Sequence, residues 1–153
     1  MAPPLRLQPL AQDDLPQVAA LWRAAWASAN PDVEQVAPQA HWLERALAEF
    51  GAPRQAWLAW QDGRLAGFFV IDPAERYLAQ LFVAPALQGL GVGTLLLQAV
   101  DRRMPSGWSL HVAQGNAGAR RFYARHGLRA GAASVHPGTG RTRLAYHRDA
   151  ARV

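Results

Sequence analysis

Apolar residues recur along this chain at two different spacings, and the alternation between them predicts the order of elements. Leu5-Arg6-Leu7 alternates like a short first strand. Leu15, Val18, Leu21, Trp22 and Trp26 then follow at helical spacing. Asp13 or Asp14 caps that helix, Pro16 is tolerated in its first turn, and Asn30-Pro31-Asp32 ends it. A second helix is predicted from Pro38 to Phe50, with Trp42, Leu43, Ala46, Leu47 and Phe50 inward and Gly51 and Pro53 as its stop. Gln55 to Trp60 and Leu65 to Ile71 are strand-like runs around Gln61-Asp62-Gly63-Arg64, a hairpin signal because Gly63 accepts positive φ. Tyr77 to Val83 is a further strand. Gln88 to Thr94 is a glycine-rich turn opening a leucine-rich helix that Pro105-Ser106-Gly107 breaks. Trp108 to Val112 reads as a strand and Ala117 to Arg125 as a helix ended by Gly127. Two β-like stretches between Ala130 and His147 flank the turn Pro137-Gly138-Thr139-Gly140. No repeat or linker interrupts the pattern, so residues 1–153 are expected to form one mixed α/β domain.

Composition removes several chemistries. All 16 basic residues are Arg, since the chain has no Lys, and it has no Cys. Schiff-base catalysis and the P-loop both need Lys. Disulfides, cysteine-based zinc sites and thiolate nucleophiles need Cys. His111, His126 and His147 lack metal-ligand spacing, so no metal is expected. No apolar run approaches the ~20 residues of a membrane span, and the opening Met1-Ala2-Pro3-Pro4-Leu5-Arg6 lacks a signal-peptide layout. A cytoplasmic protein without a membrane partner is the expectation. Charge is segregated: residues 1–101 carry six Arg against ten acids, a net −4, and residues 102–153 carry ten Arg against one acid, a net +9. A basic half suits nucleic acid, a phosphorylated small molecule, or a solvated surface.

The glycine turn narrows that choice. Unpaired N–H groups at a helix N-terminus, with glycines that let a ligand approach, suit a phosphate. The dinucleotide fingerprint fits poorly, because Thr94 stands at its third glycine and no acid follows until Asp149. Gln88, Gly91 and Gly93, after a strand ending Val83-Ala84-Pro85, instead resemble the acyl-CoA-binding motif of the GNAT superfamily of N-acyltransferases. A second block, Asn116-Ala117-Gly118-Ala119-Arg120-Arg121-Phe122-Tyr123 running to Gly127-Leu128, resembles the same family, with Leu128 replacing the usual aromatic.

The resemblance implies a single GNAT-like α/β domain: a mixed, mostly antiparallel sheet of about six or seven strands, with about four helices on both faces. It implies that the two central strands splay apart and that Leu81, Phe82 and Val83 pair with pantetheine, the N–H of Val83 or Phe82 polarising the thioester. Gln88, Gly89, Leu90, Gly91, Val92, Gly93 and Thr94 would hold the diphosphate of acetyl-CoA. Asn116 would cap the last helix and also sit beside CoA. Tyr123 would protonate the leaving sulfur, and Arg120 or Arg121 would reach CoA phosphates. Glu75 or a water relay would take the proton of the amine. Trp26 and Tyr77, together with His136 and Tyr146, are the acceptor-side candidates. Without Cys no acyl-cysteine can form, which favours direct transfer in a ternary complex. The expected activity is acetyl transfer from acetyl-CoA to a primary amine, a small molecule or peptide N-terminus, by a monomer or homodimer. A catalytically silent acyl-CoA sensor is the alternative. No recognition-helix or ribonucleoprotein motif supports a nucleic-acid partner.

Overall fold

The computed structural model describes residues 4–150. The outermost residues of the expected 1–153 domain, and the Met1-to-Pro3 opening, therefore lie outside the described part. In chain order the elements are β1 (Arg6–Pro9), α1 (Leu15–Ala29), α2 (Gln39–Glu49), β2 (Gln55–Gln61), β3 (Arg64–Asp72), β4 (Tyr77–Val83), α3 (Val92–Arg103), β5 (Trp108–Ala113), α4 (Ala117–Arg125), β6 (Arg129–Val135) and β7 (Thr142–Arg148). Short 3-10 turns cover Gln12–Asp14 and Pro85–Leu87. None of these helices is long and apolar enough to cross a membrane.

The seven strands form one sheet in the order β1-β2-β3-β4-β5-β7-β6. Every neighbouring pair is antiparallel except β4 and β5, which are parallel. Asp62 and Gly63 both take positive φ (53° and 74°), the backbone that lets a two-residue turn follow the twist of β2 and β3. Alternation along β3 sends Phe68 and Val70 to one face and Phe69 and Ile71 to the other. The first pair meets α1 and α2 through Val18, Trp22, Trp42, Ala46 and Phe50. The second meets Leu96, Leu97 and Val100 of α3, together with Leu110, Val112, Tyr123 and Tyr146.

Local details depart from the sequence reading in two places. Asp14 stands at the start of α1 but does not cap it; its carboxylate accepts from the Ala11 N–H at 3.1 Å and closes the preceding turn. Trp26 turns toward α2, its ring 5.5 Å from that of Trp42. The helices on the first face cover only the β2–β4 side, because no helix packs Ser109, His111, Ala145 or His147 into either core.

Candidate active site

The site begins where the sheet fails to close. β4 and β5 share a single paired position, Tyr77 with Ser109, while β4 stays paired to β3 as far as Val83. Beyond Tyr77 the two parallel strands separate. The Ala84 N–H donates to the Ala66 carbonyl at 2.8 Å, and the Phe82 carbonyl lies against Gly67, where an added Cβ would stand 2.6 Å from its oxygen. Backbone polar groups point alternately to the two sides of a strand. Phe82 therefore faces β3, and the N–H and C=O of Leu81 and Val83 face the gap. Of the two donors considered for the thioester, Val83 has the required direction and Phe82 does not.

A cleft of about 720 Å³ fills this gap. Leu81, Phe82 and Val83 form one wall; Gln88, Gly89, Gly91, Gly93 and Thr94 form one end; Asn116, Phe122 and Tyr123 approach from α4. Ala25, Ser28 and Ala29 of α1 line it from the other face, so the cleft passes between the strands. The glycine turn and the last helix, about 25 residues apart in sequence, meet because Gly93 has no side chain: a Cβ there would stand 3.2 Å from the Phe122 ring. Gly91 starts α3 in the left-handed region, φ 89°. The first N–H groups of α3 have no partner within the helix, and they carry the positive end of its dipole. The Leu90 side chain projects outward and Val92 is buried in the core, so only their backbones belong to the turn.

The α4 side chains divide their roles. Asn116 Oδ1 accepts from the Ala119 N–H at 3.1 Å, capping the helix while lining the cleft. Thr94 Oγ1 lies 2.9 Å from His126 Nε2, and His126 Nδ1 lies 2.9 Å from the Phe122 carbonyl. A carbonyl only accepts, so Nδ1 carries a hydrogen, and in neutral His126 the Thr94 hydroxyl donates to Nε2. Tyr123 is buried, and burial pushes its hydroxyl well above the ordinary 10, so the phenol keeps its proton at neutral pH. Arg120 is tied elsewhere, its Nε 3.5 Å from Tyr146 Oη and its Nη1 donating to the Gln114 carbonyl at 3.2 Å. The arginine that lines the cleft is Arg125, with its guanidinium 5.8 Å from the Phe122 ring centre. Its position three residues after Phe122, which also lines the cleft, is the helical spacing that could have marked it.

Other expected residues lie elsewhere. Glu75 is exposed on the β3–β4 turn, where its N–H donates to Asp72 Oδ1 at 3.3 Å. It is six residues from Leu81 on β4, roughly 20 Å in an extended chain, so the structure does not bring it to the cleft. Trp26 does not line the cleft either. Ala25, Ser28 and Ala29, at spacings of three and four residues, are the helix face that does, and their small size rather than any functional group distinguishes them. His136 closes the β6–β7 turn, its Nδ1 accepting from the Gly138 and Thr139 N–H groups at 2.9 and 3.1 Å. Tyr146 packs 6.2 Å from Tyr123 in the α3 core, not on the acceptor face. Tyr77 lies at the closed end of the gap, its hydroxyl 2.7 Å from His111 Nδ1.

Comparison with known proteins meets this geometry. A model of the Acetyltransferase (GNAT) family matches residues 15–128. The peptidyl-lysine N-acetyltransferase YiaC of Escherichia coli (strain K12) is 31% identical over 120 residues, covering 76% of this chain and 78% of the relative. A GCN5-related N-acetyltransferase from Rhodopseudomonas palustris has the same fold, with a TM-score of 0.78 at 20% identity over 97% of this chain and 98% of that one. The PaiA N-acetyltransferase of Thermoplasma acidophilum, solved with coenzyme A, has a TM-score of 0.70 at 17% identity over 93% and 98%. The matched span holds the parted strand, the glycine turn and the final helix that together build the cleft, and the chain belongs to the GNAT family of acetyltransferases.

Proposed function

We propose that this protein transfers the acetyl group of acetyl-CoA directly to a primary amine while both substrates are bound. The observation that carries this reading is the gap between β4 and β5, open to both faces and lined by the unpaired backbone of Leu81 and Val83. The N–H groups from Gly89 to Thr94, with Arg125, suit the CoA diphosphate, which meets a helix N-terminus and a guanidinium there. Pantetheine extends along Leu81 and Val83 as an added strand edge, and the Val83 N–H polarises the thioester oxygen. As the carbon–sulfur bond breaks, sulfur becomes basic and takes the phenolic proton of Tyr123. A phenol with a raised pKa donates only when that charge has developed, which keeps the proton in place before transfer.

The amine enters from the face carrying α1. A small molecule or a peptide N-terminus is the acceptor expected from the sequence; the lysine-acetylating relative makes a peptide lysine the first acceptor to try. One domain spanning residues 1–153 suffices for both substrates. The test is release of CoA thiol from acetyl-CoA across a panel of lysine peptides, N-terminal amines and polyamines, with wild type and Tyr123→Phe. Turnover with at least one amine, depressed in Tyr123→Phe, is the expected result. Tight acetyl-CoA binding with no amine acetylated makes the protein a sensor and removes the catalytic reading.

A further inference from the structure

Tyr77 and His111 form a paired site on the open face of the sheet that the cleft chemistry above does not use. Tyr77 Oη lies 2.7 Å from His111 Nδ1, with the rings 5.5 Å apart. Tyr77 belongs to the last paired position between β4 and β5, opposite Ser109. His111 stands two residues further along β5, where the strands have already parted. Its neighbours Leu110 and Val112 are buried in the α3 core, so alternation sends the His111 ring to the opposite face, the one from which α1 lines the cleft. By the Tyr77–Ser109 register, His111 is level with Ala79, and Leu81 is two residues further on, about 7 Å along the strand. His111 does not itself line the cleft; it stands next to the cleft's Leu81 wall, toward the closed end of the gap.

We propose that His111 is the group that takes the proton from the acceptor amine, with Tyr77 as the positioning residue that fixes its tautomer. This deepens the acetyl-transfer reading and rests on it. When the Nδ1–H donates to Tyr77 Oη, Nε2 keeps the lone pair and is the ring nitrogen able to accept a proton. The surroundings keep the ring neutral: burial lowers the His111 pKa below 6.5, and Arg143, His136 and His147 push it the same way. Burial raises the Tyr77 pKa above 10, against the opposing pull of Arg143 and Arg54, and the phenol stays protonated. Every charged group acting on either ring is basic. A weakly basic imidazole suffices for this step, because the amine nitrogen becomes strongly acidic once it bonds to the carbonyl carbon.

The step balances. The nitrogen–carbon bond forms, the carbon–sulfur bond breaks, His111 Nε2 gains the proton from nitrogen, and sulfur gains one from Tyr123. Solvent then takes the proton from His111 and returns one to Tyr123, leaving acetylated amine and CoA thiol. Unlike Glu75 on its distant turn, His111 stands on the strand that borders the gap.

The experiment is kcat/KM against pH for wild type, His111→Gln and Tyr77→Phe, with acetyl-CoA and a lysine peptide, beside nitrogen-15 NMR of the His111 ring. The wild-type rate should rise with pH through an acid limb at or below about pH 6.5, following loss of the His111 proton. In His111→Gln that limb should vanish and kcat should fall roughly 100-fold or more, with the acetyl-CoA KM unchanged. Tyr77→Phe should keep a limb but move it, since the imidazole survives without its anchor. The NMR signal should show an Nδ1–H tautomer, a readout that does not depend on turnover. A folded His111→Gln enzyme with the wild-type rate and pH profile overturns the assignment, and so does an Nε2–H tautomer. Absence of turnover in wild type removes the acetyl-transfer reading itself, a result distinct from active wild type with an equally active His111→Gln.

Discussion

Gly91 offers a substitution whose structural cost and functional cost separate. It opens α3 at φ 89° and ψ 0°, and nothing in the protein lies within 4 Å of an added Cβ. With open space around the Cβ, the folding penalty of Gly91→Val is mainly backbone strain, about 1–2 kcal/mol for a left-handed L-residue. In a domain of this size each kcal/mol shifts Tm by about 2–4 °C, so the melting temperature should drop by roughly 2–8 °C. The binding penalty is different in kind. The new side chain stands at the cleft, against the N–H groups assigned to the diphosphate. Loss of one charge-assisted hydrogen bond, about 1.5–3 kcal/mol, weakens acetyl-CoA binding roughly 10- to 100-fold. Gly63 is the matched control: its φ is 74°, its Cβ position is equally open, and it lies in the β2–β3 turn away from the cleft. Gly63→Val should lose similar stability with unchanged acetyl-CoA affinity by calorimetric titration. Gly91→Asn, which tolerates the left-handed region, should recover stability without recovering affinity. Equal acetyl-CoA affinity for wild type, Gly63→Val and Gly91→Val, all folded, refutes the placement of the diphosphate.

Further expectations concern the core, the acid and the phosphate grip. Leu96→Ala removes a fully buried side chain of α3 and should cost about 2–5 kcal/mol in a denaturant melt, with acetyl-CoA affinity of the folded fraction little changed. Tyr123→Phe deletes a hydroxyl that bonds to none of the described residues, so the melt should stay near wild type while kcat falls about 100-fold or more. Because burial raises the Tyr123 pKa, its phenol remains protonated through the alkaline range; wild-type activity should hold between about pH 8 and 10 as far as this group decides. A decline there that Tyr123→Phe abolishes contradicts its role. Arg125→Ala should weaken CoA binding and reduce its salt dependence, whereas Arg121→Ala, which does not line the cleft, should change neither.

Local grammar made much of this fold legible. Asp62-Gly63 demanded a tight turn, Asn116 could cap only the helix that follows it, and the unbroken apolar run from Leu65 to Ile71 marked a strand, which proves to be buried on both faces. The glycine turn and the Asn116-to-Leu128 block marked the two ends of the cleft, although helix packing through Gly93 and Phe122 is what joins them. What the sequence left hidden is non-local. The point where β4 parts from β5 depends on strands recruited from distant parts of the chain, and that point decides that Val83 rather than Phe82 faces the gap. Trp26 carries the helical spacing of an inward residue, yet its ring packs on Trp42 while the small Ala25, Ser28 and Ala29 border the cleft. Glu75 was close to the expected base position in sequence, but the turn holds it beyond the closed end of the gap. His111 drew notice only for its lack of metal spacing; its bond to Tyr77, 34 residues away, appears once the parallel strands are side by side.

The claim that the parted strands seat acetyl-CoA is tested most directly by residue-resolved amide hydrogen exchange with and without acetyl-CoA. The Leu81 and Val83 amides, which face the gap, should gain protection together with Gly91 to Thr94, while Phe82 and Ala84, directed at β3, should keep the protection they already have. Saturating acetyl-CoA that leaves Leu81 and Val83 exchanging as in the free protein contradicts this seat for the thioester.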